Sequence, residues 1–116
     1  MTAHIALIKG DGIGGDICDA TCFLVKIALQ QAGAMLLAVT AIFAGAAYFQ
    51  ETGKDIEPKG EETAGTCDAI FLGAIGLPSI RHPDGTEISP HLRLRERFQL
   101  YAGVRPVKAY PHIPQN

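Results

Sequence analysis

Two groups of residues in this chain have the types and spacing to do chemistry. The first is Lys9-Gly10-Asp11-Gly12-Ile13-Gly14-Gly15, where four glycines fall within six positions. Backbone of that kind turns tightly and lets amide groups come close to a ligand's phosphates. The second is the arginines: Arg81, Arg93, Arg95, Arg97 and Arg105 all lie after position 80. The first 80 residues hold four lysines and nine acids, net −5, whereas the remainder holds five arginines, one lysine and three acids, net +3. A guanidinium grips a carboxylate or phosphate with two parallel hydrogen bonds, so the C-terminal third has the character of an anion-handling segment.

Gly10-x-Gly12-x-x-Gly15 formally matches the dinucleotide fingerprint GxGxxG. That mechanism also requires an acidic residue about 20 positions on to hold the ribose hydroxyls. No Asp or Glu occurs between Asp19 and Glu51. The ordinary Rossmann reading is therefore disfavoured, leaving a plain tight turn or a different nucleotide-binding design. Among the arginines, Arg93 and Arg97 are four apart and share a helix face, the spacing of a solvated or ion-paired pair. Arg95 lies on another face.

The elements that must position these residues follow from apolar patterning. Residues 4–8 (HIALI) read as a buried strand running into the glycine loop, and 16–32 as a helix with Asp16 and Asp19 early and Gly33 as its stop. Its apolar residues go nearly all the way round, which predicts burial on more than one side. Residues 35–43 (MLLAVTAIF) and 68–72 (DAIFL) read as further buried strands, 44–52 as a short helix, and 54–66 as a polar connection. Ser89-Pro90 starts a helix, with Ser as N-cap and Pro in the first turn, leading into HLRLRERFQ; 101–110 is an extended candidate. Strands alternating with helices predict an α/β fold of three layers, a mostly parallel sheet with helices on both faces, spanning 1–116 as a single segment.

Composition narrows the function classes. A 116-residue chain that is 47% hydrophobic and 19% charged is an ordinary globular domain. A net charge of −2, with no aromatic ladder among the arginines, disfavours nucleic acid. No apolar run reaches the roughly 18–20 residues of a membrane span, and the N-terminus shows no secretory signal. Cys18, Cys22 and Cys67 form no CxxC pair, which fits reduced thiols and a cytoplasmic location.

Read together and in order, Ile8-Lys9-Gly10-Asp11-Gly12-Ile13-Gly14, Gly45-Ala46-Ala47-Tyr48, Asp68-Ala69-Ile70-Phe71-Leu72-Gly73-Ala74-Ile75-Gly76, Leu94-Arg95-Glu96-Arg97 and Leu100-Tyr101-Ala102-Gly103-Val104-Arg105-Pro106 resemble the N-terminal part of the isocitrate/3-isopropylmalate/tartrate dehydrogenases, the β-decarboxylating dehydrogenases. The resemblance covers about residues 5–111. It implies oxidation of a metal-bound 2-hydroxy acid with NAD or NADP, followed by loss of CO2. It further implies Arg95 and Arg105 as ligands of the substrate carboxylates, from a helix and a strand facing one cleft. His91 and Leu92 fall where the isopropylmalate enzymes place two leucines against the isopropyl group. A polar His91 argues against a purely aliphatic substrate side chain, so a tartrate- or malate-like acid fits at least as well, with a solvated His91 as the alternative. Asp11, Gly12, Ile13, Ala74, Ile75 and Gly76 match the family's positions near the cofactor.

Three departures accompany the resemblance. Gly15 stands where the family usually has proline, the segment 62–68 is shorter than usual, and His91 replaces a leucine. The resemblance places the family's catalytic tyrosine, lysine and metal-binding aspartates beyond position 116. No catalytic residue and no ligand for Mg2+ or Mn2+ is therefore assigned here, and the 116-residue chain by itself is expected to be inactive and to self-associate. A homodimer is implied for a full-length form. The alternative is a non-catalytic, nucleotide- or anion-binding remnant of the same family.

Overall fold

The computed structural model describes residues 1–114. Its elements are β1 (Thr2–Gly10), α1 (Gly14–Gln31), β2 (Leu36–Ala41), α2 (Ala46–Thr52), α3 (Gly60–Gly65), β3 (Ala69–Ala74) and α4 (Pro90–Arg97). The strands form one sheet in the order β2-β1-β3, and both pairings are parallel. Ile5 sits level with Val39 on one side and Ala69 on the other, and Leu7 with Ala41 and Phe71.

The alternation of side chains along β1 divides the molecule into layers. Ala6 and Ile8 face a cluster completed by Ile42, Ala44, Ile56, Ala64 and Leu94, so α3 and α4 cover that face. On the other face Ile5, Leu37, Val39 and Phe71 meet Thr21, Cys22 and Val25 of α1. Helices therefore lie on both sides of a parallel sheet, the α/β architecture expected. Cys18 is fully buried against Gly73, where a Cβ would stand 2.9 Å from its sulfur, and burial pushes its thiol up in pKa. All three cysteines are free thiols.

Four expectations need correction. Residues 54–66 are not merely a polar connection, because α3 forms within them. Gly60 allows it, since a Cβ there would come within about 3 Å of Ile56 and Ile42, and Ala64 is buried beneath. Second, α1 is not buried on more than one side: Phe23 and Leu24 are 65% and 63% exposed, and of its residues only Gly14 and Cys18 are buried. Third, burial of the strands is confined to central β1, at Ala6, Leu7 and Ile8, whereas β2 and β3 hold no buried residue. A three-stranded sheet is too narrow to wrap an all-round apolar helix or to cover its own edges. Fourth, 101–110 forms no strand; every residue there is exposed. Ser89 does occupy the N-cap of α4, with Pro90 in the first turn, although its side chain makes no capping hydrogen bond.

Candidate functional site

The order β2-β1-β3 puts the C-terminal ends of β1 and β3 side by side, and their chains leave toward α1 on one face and α4 on the other. Ligands of open α/β sheets bind at such a divergence. Gly10 ends β1 in a left-handed conformation (φ +74°), and a Cβ there would sit 1.9 Å from the Ala74 carbonyl oxygen. Only glycine permits this approach. The Asp11 amide then donates to that oxygen at 2.6 Å, tying the loop after β1 to the end of β3.

The Asp11 side chain continues the join. It is 3% exposed, the one buried polar or charged residue among those described. Its Oδ2 accepts from the amides of Ala46 (2.9 Å) and Gly76 (2.8 Å), and its Oδ1 from Ala47 (2.8 Å). The N-cap of α2 is Gly45, which has no side chain to offer, so a carboxylate 35 residues earlier caps the helix. Gly45 is needed for that seat, because a Cβ would stand 2.8 Å from both Asp11 oxygens.

Asp11, Gly12, Ile13, Ala74, Ile75 and Gly76 are therefore brought together. Within this group Gly12 and Ile13 are exposed, and Gly12 and Gly76 have open space where a Cβ would point. The amides of Gly12, Ile13, Gly15 and Asp16 donate to no acceptor among the described residues, as at any helix start. The donors this surface offers to a dinucleotide are those open backbone amides, whereas both oxygens of Asp11 already accept from the protein's own amides. Lys9 turns away to pair with Asp19 at 2.7 Å.

The second part of the site is α4. Arg93 donates to both oxygens of Asp55, at 2.7 and 3.1 Å, and to Glu61 at 2.5 Å; Arg97 pairs with the other oxygen of Glu61. These guanidiniums hold the Glu61 carboxyl below its usual range, Arg97 most strongly, against the opposing effect of burial. Both arginines are thus ion-paired, as their spacing suggests. Their partners are not legible in sequence, where Asp55 and Glu61 look like members of a solvated loop.

Arg95, between them in sequence, pairs with no carboxylate among the described residues. It lines an open hollow with Leu92, Glu96, Gln99, Leu100 and Tyr101. His91, in the first turn of α4, is half-buried and its Nδ1 has no hydrogen-bond partner. Burial first, and Arg95 second, lower its pKa, so near neutrality it is an uncharged imidazole. Arg105 lies in the exposed stretch after α4 and is not among the residues lining the Arg95 hollow. The expected helix-and-strand pair of arginines is not formed, because no strand forms to carry the second one. No three His, Cys, Asp or Glu side chains converge among the described residues, so these residues do not fit a metal ion.

A family model for isocitrate/isopropylmalate dehydrogenase matches residues 4–116. The chain belongs to that family. It is 38% identical to the 3-isopropylmalate dehydrogenase of Heyndrickxia coagulans, over 95% of this chain and 30% of the relative. It is 31% identical to the decarboxylating D-malate dehydrogenase of Escherichia coli K12 (97% of this chain, 31% of the relative). Identity to the tartrate dehydrogenase/decarboxylase of Pseudomonas putida is also 31% (98% and 32%). Among solved structures, a β-decarboxylating dehydrogenase from Thermococcus kodakarensis superposes with a TM-score of 0.63 at 29% identity, over 85% of this chain and 27% of that one. This isocitrate/isopropylmalate dehydrogenase family member thus spans about 30% of the length of the curated relatives it matches.

Proposed function

We propose that residues 1–116 form the N-terminal segment of an isopropylmalate-dehydrogenase-like domain. That domain oxidises and decarboxylates a 2-hydroxy acid of the 3-isopropylmalate, tartrate or malate type. The observation that carries this reading is the division of labour on α4: Arg93 and Arg97 are held by Asp55 and Glu61, while Arg95 is left facing an open hollow beside Leu92. An unpaired guanidinium on a helix fastened by its neighbours is suited to a carboxylate ligand. Arg105 is the second carboxylate contact of this reading only where the stretch after α4 is drawn up to the Arg95 hollow, which it does not line in the described chain. Leu92 and His91 border the substrate's side chain, and the uncharged imidazole of His91 favours a hydroxylated or otherwise polar acid.

NAD, or NADP in its place, supplies the hydride acceptor when bound. Gly12, Ile13, Ala74, Ile75 and Gly76 present backbone to it at the β1/β3 divergence, and Asp11 sets that backbone. The divalent metal of the reading, Mg2+ or Mn2+, belongs to side chains other than those described. The partners are the hydroxy acid and, for a full-length form, a second subunit; neither nucleic acid nor membrane is one. The location in this reading is cytoplasmic. No helix of the described chain is long and apolar enough to cross a membrane.

The test begins with the intact mass of the polypeptide in its source, followed by Mg2+-dependent NADH formation with malate, tartrate and isopropylmalate. A mass several times 12.3 kDa with turnover of one of these acids is expected. Replacing Arg95 with Ala should then raise KM for the acid about ten- to a hundredfold, the worth of a hydrogen bond to a charged group. A long polypeptide with no turnover, or an unchanged KM, overturns the reading. A natural mass of 12.3 kDa replaces it with the non-catalytic, anion- or nucleotide-binding remnant.

A further inference from the structure

We infer that Asp11 is a positioning residue for the cofactor loops: it sets their backbone through three amides and does not itself contact the nucleotide. The inference rests on the cofactor surface proposed above, at Gly12–Ile13 and Ala74–Gly76. Its basis is the geometry of one buried carboxylate. Asp11 belongs to the loop after β1, Gly76 to the loop after β3, and Ala46 and Ala47 to the start of α2, which follows β2. All three strands thus send their following segment to the same side chain, at 2.8–2.9 Å.

Each partner is needed for a physical reason. Gly76 has φ +115° and nothing within 4 Å of where a Cβ would point, so no side chain of its own is packed to fix where its amide points. The bond to Oδ2 supplies that orientation. The first-turn amides of α2 would otherwise be orphaned beside Gly45. An ionised carboxylate accepts from all three at once, whereas an isosteric carboxamide can accept at only one of its two ends. Asp11→Asn therefore leaves at least one of these amides facing a donor, with almost no change in volume.

Two measurements on the natural polypeptide that carries this segment test the inference. The first needs no cofactor: hydrogen exchange at single-residue resolution. The Gly76 amide should exchange far more slowly than that of Gly12, although both glycines are exposed. Equal rates would mean that the carboxylate does not hold the loop, and would overturn the inference. The second compares Asp11→Asn with the native protein and with Val39→Ala, a substitution on the α1 face of the sheet, among Ile5, Leu37, Phe71 and Val25 and away from both loops. Asp11→Asn should raise KM and Kd for NAD about tenfold while leaving KM for the hydroxy acid within about twofold. Asp11→Glu, which keeps the charge, should restore part of the loss. Val39→Ala should lower Tm and leave the KM for NAD in place. A purely structural Asp11 would lower Tm while moving both Michaelis constants alike or neither, and that result overturns the inference. If the native protein bound no NAD, the proposed function would fail and the positioning role with it. If Asp11→Asn does not fold, the exchange measurement decides alone.

Discussion

Arg93 reaches across 38 residues of sequence to take both oxygens of Asp55, at 2.7 and 3.1 Å, while its Nε donates to Glu61. Half-exposed arginine thereby meets carboxylates that are only 18% and 17% exposed. The planar fork matches the carboxylate pair, and Arg97 shares Glu61 from one turn further along α4. These bonds fasten an eight-residue helix whose own buried anchors are Pro90 and Leu94. The orientation of Arg95 follows from that fastening.

Breaking the fork should loosen α4. Arg93→Met keeps the side chain's apolar stem and should cost about 1–2 kcal/mol, more than an isolated surface pair because two of the charges are largely covered. Urea unfolding would measure it. The same network carries a pH dependence. Folded Glu61 has a depressed pKa, so its contribution is complete above the ordinary value of 4.5 and is lost as pH falls below that through the folded value. Glu61→Gln should be less stable than the native chain at pH 7, and the gap should close on acidification. A gap that stays constant down to pH 3 would contradict the assignment.

His91 should titrate below its ordinary 6.5, because burial and the neighbouring Arg95 both disfavour the imidazolium. With a folded value below the unfolded one, its contribution is present above pH 6.5 and is lost as pH falls through the folded value. NMR titration of the ring protons reads this directly. Arg95→Met should move the midpoint upward by removing a like charge, and a dicarboxylate bound at Arg95 should move it in the same direction. A midpoint at or above 6.5 in the unaltered chain would sink the burial argument.

Two glycines should respond very differently to the same substitution. Gly45→Ala places a Cβ 2.8 Å from both Asp11 oxygens at φ +123°, and it should cost about 2–4 kcal/mol by breaking the carboxylate's seat. Gly12 also has positive φ (+54°) but meets nothing within 4 Å, so Gly12→Ala should cost only about 1 kcal/mol. Thermal denaturation of the pair separates steric exclusion from backbone preference. Equal losses would show that Asp11 does not occupy the position described.

The 116-residue polypeptide taken alone should associate. Phe23 and Leu24 on α1 and Leu36 at the start of β2 are 63–65% exposed, and β2 and β3 are both edge strands among the described residues. Sedimentation velocity should show species larger than 12.3 kDa whose proportion grows with concentration. A single sharp monomer peak with a cooperative melt would overturn this.

What the sequence determined by itself was local. The apolar runs at 4–8, 35–43 and 68–72 marked the strands, Pro90 marked the start of α4, and the glycine cluster marked the loop after β1, because each signal lies within the few residues that form the element. The four-residue spacing of Arg93 and Arg97 likewise showed their shared face. Short α3 escaped notice because it depends on Gly60 packing against Ile42 and Ile56 rather than on any periodicity of its own. The exposed 101–110 stretch looked like a strand because its residues suit one, yet a strand exists only where another pairs with it.

Tertiary structure decided the rest. Asp11 in sequence looks like a ligand-facing acid in a glycine loop; only the fold brings amides from 35, 36 and 65 residues away to occupy both its oxygens. Asp55 and Glu61 look solvated until α4 lies across them, and Arg95 becomes the arginine left open only once its neighbours are engaged. Hydrogen bonds between distant segments leave no period or spacing in the chain, because what selects their partners is proximity, and proximity is a property of the folded state alone.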